Sequence, residues 1–489
     1  MTIPEGLNNF AQICCEKNAV LRDCFTHGDM TLSEMLDIQA DKVRKNQDIT
    51  PLCNPEDFFS RAKNFAGERV GFELAEKVDS AFRLGAACTA DHHGGLYCAQ
   101  SFQGDILFSF LLEKLGCHSS IVPILSAGQV ELENSSYARG ICTYMSKDSR
   151  QFFPIFPSKY SVRLASYTEP FNQEMLNRFR QCFICDSNSD ENIPAELLDK
   201  ILKEAYENES VLSSECFSDQ TTKIGAKLTQ NMFTDGEKIF IYLEMESLIM
   251  PLLINELNDK HSLISRLCFE SSTVREYMLD EKFSDGTPLA SLLFWGADEK
   301  GRKLHLTLLP EGELEGRDWR GQSIRYKADS SSLIKLLTER RIFPGVFTIA
   351  LLTFFERGIT WLGGMFQSHY LPVQQQALVN ILNKTGLKHE AEIIGSYDCS
   401  GYISGPVFFL YDGKGFSTPE GPVEAFRDKP SLIRLRELTQ STNLRDAHLM
   451  GLADIYFDLI PRKLRNENWY SIIAESLYNQ YQGNRIQAL

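Results

Sequence analysis

The segment that most constrains this chain is a strand, a glycine-bearing loop, a helix and a second strand within about 40 residues. Leu84-Gly85-Ala86-Ala87-Cys88-Thr89-Ala90 is a short run of small, apolar residues, and Asp91-His92-His93-Gly94-Gly95 follows as a loop. A helix is expected over 103–115, with Ile106, Leu107, Phe110, Leu111 and Leu115 on one face and Gly116 as its stop. Ser120 to Leu125 then reads as a buried strand. Two strands that run the same way must be joined by such a crossover, so the pattern predicts a βαβ unit in a doubly wound parallel sheet. The fold class expected is α/β, a Rossmann-like parallel sheet core with helical insertions and a helical C-terminal region.

The rest of the chain is assigned around that unit. Residues 1–80 read as an N-terminal helical segment, since 21–37 and 56–78 carry apolar residues at helical spacing on either side of Asn54-Pro55. Residues 81–170 hold the first half of the core. Residues 171–280 read as a helical insertion, with amphipathic helices expected over 192–212 and 242–278. Residues 281–420 are expected to complete the α/β core; within them Lys303-Leu304-His305-Leu306-Thr307-Leu308 alternates after the turn Asp298-Glu299-Lys300-Gly301, a hairpin signal. Residues 421–489 read as a C-terminal helical region, a packing element or a surface for homo-oligomer formation.

Composition narrows the function classes. At 489 residues the chain exceeds what one simple core holds, and 43% hydrophobic with 24% charged residues is ordinary for a folded protein. The net charge of −15 argues against a broad nucleic-acid surface, and DNA is not expected as a partner. No apolar run approaches the ~20 residues needed to cross a bilayer, and the first residues lack a signal-peptide pattern. Thirteen scattered cysteines fit reduced thiols, so a cytoplasmic location without membrane association is expected. Cys182 and Cys185 form an isolated CxxC with no ligands to complete a zinc set, and no metal is expected.

Three loops carry the candidate chemistry. The first is Thr89 to Gly95. Amides at the start of the following helix would offer positive potential to an anion, Gly94 and Gly95 would let it approach, and Thr89 would help bind it. His92 and His93 are titratable near neutral pH and serve as candidate acid, base or charge stabiliser. Neighbours in an extended chain point opposite ways, so one is expected to act and the other to support. The second loop, 126–140, leaves the adjacent strand. There Glu131 is a candidate base, and Asn134, Ser136, Tyr137 and Arg139 are candidate substrate contacts, Arg139 by a bidentate fork on a carboxylate or phosphate. The third is Gly363-Gly364-Met365-Phe366-Gln367-Ser368-His369-Tyr370, where Gly364, Gln367, His369 and Tyr370 repeat the pattern of two glycines and polar groups before a helix.

Thr89 to Gly95, the helix to Gly116, and Ile121-Val122-Pro123-Ile124-Leu125-Ser126-Ala127-Gly128 together resemble the core of the bacillithiol-synthesis cysteine-adding enzymes. Leu362 to Tyr370 resembles a second stretch of that family, in the same order along the chain. The resemblance implies a Rossmann-type core and a reaction joining an amino acid to an amine. It places His92, His93 and Gly94 on the family's ligand loop, and Gly364, Gln367 and Tyr370 on its second binding stretch. Ala90 stands where that family has a loop glycine, and His93 stands near its glutamine. The resemblance therefore extends to the scaffold and the reaction type, not to cysteine or the aminosugar as substrates.

The expected function is a ligase or transferase joining an amino acid, or its activated acyl form, to an amine or hydroxyl of a small metabolite. ATP or an aminoacyl donor would supply the activation. Two alternatives stay open: an aminoacyl-tRNA-dependent transferase on the same fold, which predicts a local basic surface, and a non-catalytic nucleotide- or metabolite-binding regulator.

Overall fold

The computed structural model describes residues 5–89, 91–93, 98–134, 139–146, 149–185, 195–283, 285–411 and 417–481. Its strands, in chain order, are β1 (Ala86–Cys88), β2 (Ile121–Ser126), β3 (Gly140–Ser146), β4 (Ser149–Pro154), β5 (Ile239–Glu244), β6 (Phe294–Ala297), β7 (Lys303–Leu308), β8 (Glu313–Arg317), β9 (Ser323–Lys327), β10 (Ile342–Pro344), β11 (Thr360–Leu362), β12 (Phe409–Tyr411) and β13 (Ser417–Pro419). Four of them form an all-parallel sheet in the order β11-β1-β2-β5. The protein is thus α/β with a Rossmann-like parallel core flanked by helices.

Both faces of this sheet are buried, as a parallel sheet requires. Ala87, Ile121, Leu125, Ile239, Ile241, Leu243 and Trp361 point to one side. They meet the helices Glu56–Val70, Phe72–Phe82 and Met245–Asn258. Cys88, Val122, Ile124, Phe240, Tyr242 and Leu362 point to the other, against the helices Leu32–Gln47 and Ala99–Lys114. The crossover helix begins at Ala99, four residues before the sequence suggested. Residues from Phe102 to Leu112 are buried all round it, so its apolar periodicity is weak and does not mark the start.

The main correction concerns 171–280. Tyr242, expected to open an amphipathic helix, lies inside β5, which pairs in register with β2 from Ile121↔Ile239 to Ser126↔Glu244. Ile239 to Leu243 is an unbroken apolar run running straight into the apolar helix Met245–Asn258. Periodicity cannot separate a strand buried on both faces from a buried helix when the two adjoin. The helices Leu263–Phe269 and Ser272–Asp280 do follow.

A second, five-stranded antiparallel sheet runs β10-β6-β7-β8-β9, and it contains the expected hairpin around 298–301. Its pleat matters for function. Leu304, Leu306 and Leu308 point into the core, so Lys303, His305 and Thr307 share the opposite face. At the C-terminal end, the helices Leu452–Leu459 and Trp469–Tyr481 pack on the N-terminal helix Glu5–Lys17 through Leu7, Phe10, Ile455, Ile473 and Leu477. Among the described residues no helix is long and apolar enough to cross a membrane.

Candidate functional site

Strand order locates the place where a ligand fits. From β1 the chain steps to β2 and then β5, whereas β11, last to join, sits on the far side of β1. The direction of winding therefore reverses between β1 and β11. In open α/β sheets ligands bind beyond the carboxyl ends of the strands at such a point. A cavity of about 370 Å³ lies there, with Thr89, His92, Gln129, Lys303, Gln367 and Tyr370 in its wall.

The first and third loops are brought together. Thr89 follows β1 and donates its hydroxyl to the Gln367 Oε1 at 2.7 Å. Gln367 opens the helix Gln367–Lys384, to which His369 and Tyr370 also belong. A Cβ on Gly363 would lie 2.2 Å from the Gln367 Oε1, so glycine there is what lets the amide fold back toward Thr89. A Cβ on Gly364 would meet nothing within 4 Å. His369 lines a second, adjoining chamber. Gly94, Gly95, Ser136 and Tyr137 lie outside the described residues.

The adjacent histidines divide as the geometry of an extended chain dictates. The His93 amide donates to the Ala127 carbonyl (2.7 Å) and the Ala127 amide to the Asp91 carbonyl (3.2 Å), which prolongs the β1–β2 pairing. His93 is completely buried. Its Nδ1 lies 2.6 Å from the Ser126 Oγ, and its Nε2 lies 2.8 Å from the Ser218 carbonyl and 2.7 Å from the Thr221 Oγ1. A proton on Nε2, given to the carbonyl, and a Ser126 hydroxyl given to Nδ1 satisfy this set. Burial lowers the His93 pKa despite the pull of Glu244, so the ring stays neutral. His92 instead faces the cavity. The residue is exposed to solvent through the cleft, with its ring in the cavity wall. Desolvation of the ring there, with the neighbouring Lys303 ammonium, holds the imidazole down to about 4.

Lys303 enters from β7 of the antiparallel sheet. Its Nζ donates to the Gln129 Oε1 at 3.2 Å, and it has no carboxylate within ion-pair distance among the described residues. Desolvation lowers its pKa, opposed by the more distant Glu246 and Glu131. Gln129 is held in turn. Its amide and that of Gly128 donate to the two carboxyl oxygens of Glu246 at 3.1 and 2.8 Å. Glu246 is fully buried beside Glu244, and burial together with the Glu244 charge raises its pKa well above the carboxylate range. Burial alone would raise Glu244 too, but the Glu246 proton, the Arg340 charge and the Ser166 hydroxyl hold it below that range. The pair therefore shares one proton, with Ser166 Oγ donating to Glu244 at 2.5 Å.

The second loop contributes less than its polarity suggested. Ala127, Gln129 and Val130 line the cavity. Glu131 pairs with Leu164 through its backbone and is not in the wall. The Asn134 amide donates to the Glu131 carbonyl, and Arg139 is committed to Glu133 and to the Phe156 carbonyl. At the helix N-terminus expected to cradle an anion, the Ala99 amide donates to the Tyr144 hydroxyl at 2.9 Å. No residue from 98 to 114 lines the cavity, so its positive charge comes from Lys303.

Lys303, Gln129, Glu244, Glu246 and Gln374 were missed from sequence. A signal existed for the acids, since the apolar run Ile239–Leu243 has strand length and ends abruptly in Glu244. Lys303 was visible as the polar side of an alternating strand, but nothing local says that this face meets the parallel sheet's edge. Cys53, Glu256 and Glu356 also cluster closely enough to hold an ion, but Arg357 sits among them and pairs with Glu256 (2.7 Å) and Glu356 (3.3 Å), which accounts for the cluster. No family model, no curated protein and no solved structure matches the chain.

Proposed function

We propose that the cleft is the active site of a ligase or transferase that joins an amino acid, as its activated acyl form, to an amine or hydroxyl of a small metabolite. One observation carries this: an ammonium without a carboxylate partner, Lys303, stands beside a neutral imidazole, His92, in the cavity at the winding reversal of the parallel sheet. A half-buried charge is stable only when paired, so the cavity suits an anionic leaving group or carboxylate. A neutral imidazole suits proton removal from an attacking amine. Further support comes from the two segments that resemble the cysteine-adding enzymes. They lie far apart in sequence but meet here through β1, β11 and the Thr89–Gln367 hydrogen bond.

The step balances simply. The amine attacks the acyl carbon, His92 takes the proton that the nitrogen sheds, and the leaving group departs with the bonding electron pair beside Lys303. An anion bound to Lys303 also offsets one of the two causes that depress the imidazole, so His92 becomes a stronger base when substrate is present. The test is a thermal-shift screen of amino acids, nucleotides and amines, with mass spectrometry for a joined product. Turnover lost in His92→Ala and substrate affinity lost in Lys303→Met are expected. No product from any combination, with ligand shifts indifferent to both substitutions, would refute the proposal.

The variant that takes its acyl group from a charged tRNA is favoured by a separate feature. At the tips of the β6–β7 and β8–β9 hairpins, Arg302, Arg320 and Lys300 surround the exposed Trp319 ring at 4.2, 4.8 and 5.2 Å. Cations grouped around an exposed aromatic suit phosphates and an unstacked base. Arg302 directly precedes Lys303 in the cavity wall. Charged tRNA binding that weakens in Trp319→Ala would select this variant over free acyl phosphates.

A further inference from the structure

The cavity at the sheet edge continues into a larger chamber of about 610 Å³, and Gln129, Lys303, Val346, Tyr370 and Gln374 belong to both. The chamber is roofed by the outward face of the antiparallel sheet and walled by the Gln367–Lys384 helix, by residues 345–347 and by the 283–292 segment, which places the Asp285 carboxylate in the part not shared with the smaller cavity. Its character differs from that of the smaller cavity, since Phe283, Phe294, Trp295 and Phe347 line it and not the other.

Two polar atoms in this aromatic wall have no hydrogen-bond partner among the described residues. They are the indole Nε1 of Trp295 and the amide Oε1 of Gln374. Both residues are more than nine-tenths buried, at 3% and 6% exposure. A donor and an acceptor left unpaired inside a protein are costly, and a ligand group that pairs them relieves that cost. The Trp295 ring is fixed, stacked on Phe343 at 4.3 Å and 13°, so its N–H does not simply swing out to water. Lys303, at the junction of the chambers, adds an ammonium without a carboxylate partner.

We propose that the larger chamber binds the planar ring of an anionic ligand. The ring lies among the aromatic walls, its edge accepts a hydrogen bond from Trp295 Nε1 and donates one to Gln374 Oε1, and its anionic group reaches Lys303. The inference rests on the cleft being a substrate site, and it adds which portion of a ligand the second chamber selects. Two sources share this chemistry. The Watson–Crick edge of adenine in a nucleotide carries an acceptor beside an amino donor. The phenol of tyrosine offers both in one hydroxyl and carries a carboxylate.

Equilibrium binding by calorimetry separates the sources and tests the claim. One arm compares AMP with purine riboside monophosphate, which lacks the amino group; the other compares tyrosine with phenylalanine. In one arm the ligand with the polar edge is expected to bind at least tenfold more tightly than its partner, since a ligand without it leaves buried groups unpaired. Gln374→Leu, which removes the acceptor for the amino or phenolic hydrogen, is expected to erase most of that ratio. Trp295→Phe, which keeps a stacking ring and removes the N–H, is expected to weaken both purine nucleotides alike and to lower the tyrosine preference, an independent second measurement should Gln374→Leu unfold. No preference in either arm, a preference unchanged in folded Gln374→Leu, or binding unchanged in folded Trp295→Phe overturns the proposal. Because the readout is binding, the ring site and the reaction fail separately. Edge-dependent binding without turnover would leave this inference standing and remove the transferase. Turnover with no edge preference would do the reverse.

Discussion

The two adjacent histidines should respond oppositely to the same substitution. In His93→Ala, two hydrogen bonds and a buried ring disappear. The Ser218 carbonyl keeps the Thr221 and Thr222 hydroxyls at 2.9 and 3.2 Å, and the Ser126 hydroxyl can turn to the Leu243 carbonyl at 3.4 Å. Neither partner is orphaned, so each lost bond costs about 1 kcal/mol rather than a full desolvation penalty. The void is the larger cost, since removing a buried side chain typically loses about 2–5 kcal/mol. The sum is a loss of about 4–7 kcal/mol. His92 is exposed in the cavity wall and its removal leaves no buried void, so His92→Ala should cost much less than His93→Ala. Urea unfolding followed by tryptophan fluorescence measures both. Equal losses in the two variants, or a loss under about 1 kcal/mol for His93→Ala, would refute the division of roles.

Other consequences follow from the same geometry. Gly128→Ala puts a methyl 1.9 Å from the Ser166 Oγ and 2.7 Å from the Glu244 Oε1, and a loss of at least 1–3 kcal/mol, roughly the cost of overpacking, is expected by urea unfolding. Arg357→Met leaves Asp57, Glu256 and Glu356 facing one another without their cation, at a cost of about 3–5 kcal/mol; wild-type stability would show that the carboxylates are solvated instead. Burial and the Glu256 charge raise Glu356 to about 8, above its value in an unfolded chain. Its contribution to stability is thus complete below about pH 4 and is lost as pH rises through about 8, and Glu356→Gln should flatten that decline. His92 is lowered instead, so the folded state binds fewer protons and stability falls as pH drops from about 6.5 toward 4. NMR titration of its ring should give a midpoint near 4 that rises in Lys303→Met; a wild-type midpoint above 6 would contradict the desolvation described for it.

What the sequence made legible was local. The small residues of β1, the apolar run of β2 and the glycine-limited crossover helix lie within one segment whose pattern has one physical solution, a parallel pair with a helix across it. The Thr89–His93 and Gly363–Tyr370 loops were visible for the same reason: histidines and glycines at the ends of short apolar runs. β5 was hidden because strand and following helix are both apolar throughout, so burial erased the period that distinguishes them. In the loop 131–139 the described polar groups Asn134 and Arg139 bond within the loop and its flanks rather than lining the cavity. Arg139 closes on Glu133 just six residues away, which composition does not separate from a residue waiting for substrate. Lys303 lies about 210 residues beyond His92, and only packing of the antiparallel sheet on the parallel one places them together.

A chain of contacts links the buried acids to the cavity and explains why they stand behind it. Glu244 caps the helix Met245–Asn258, accepting the Ser247 amide at 3.1 Å, and is tied to Ser166. Its neighbour Glu246 grips the amides of Gly128 and Gln129, which fixes the turn leaving β2. With its backbone fixed, Gln129 can aim its side-chain oxygen at Lys303 and set the ammonium beside His92. A shared proton gives the acid pair one net negative charge instead of two, which a buried site tolerates far better. Supporting groups of this kind hold a binding geometry to a fraction of an ångström. Losing the Glu246 grip should therefore move Lys303 and weaken the anion binding proposed for the cavity without removing a single cavity-lining residue.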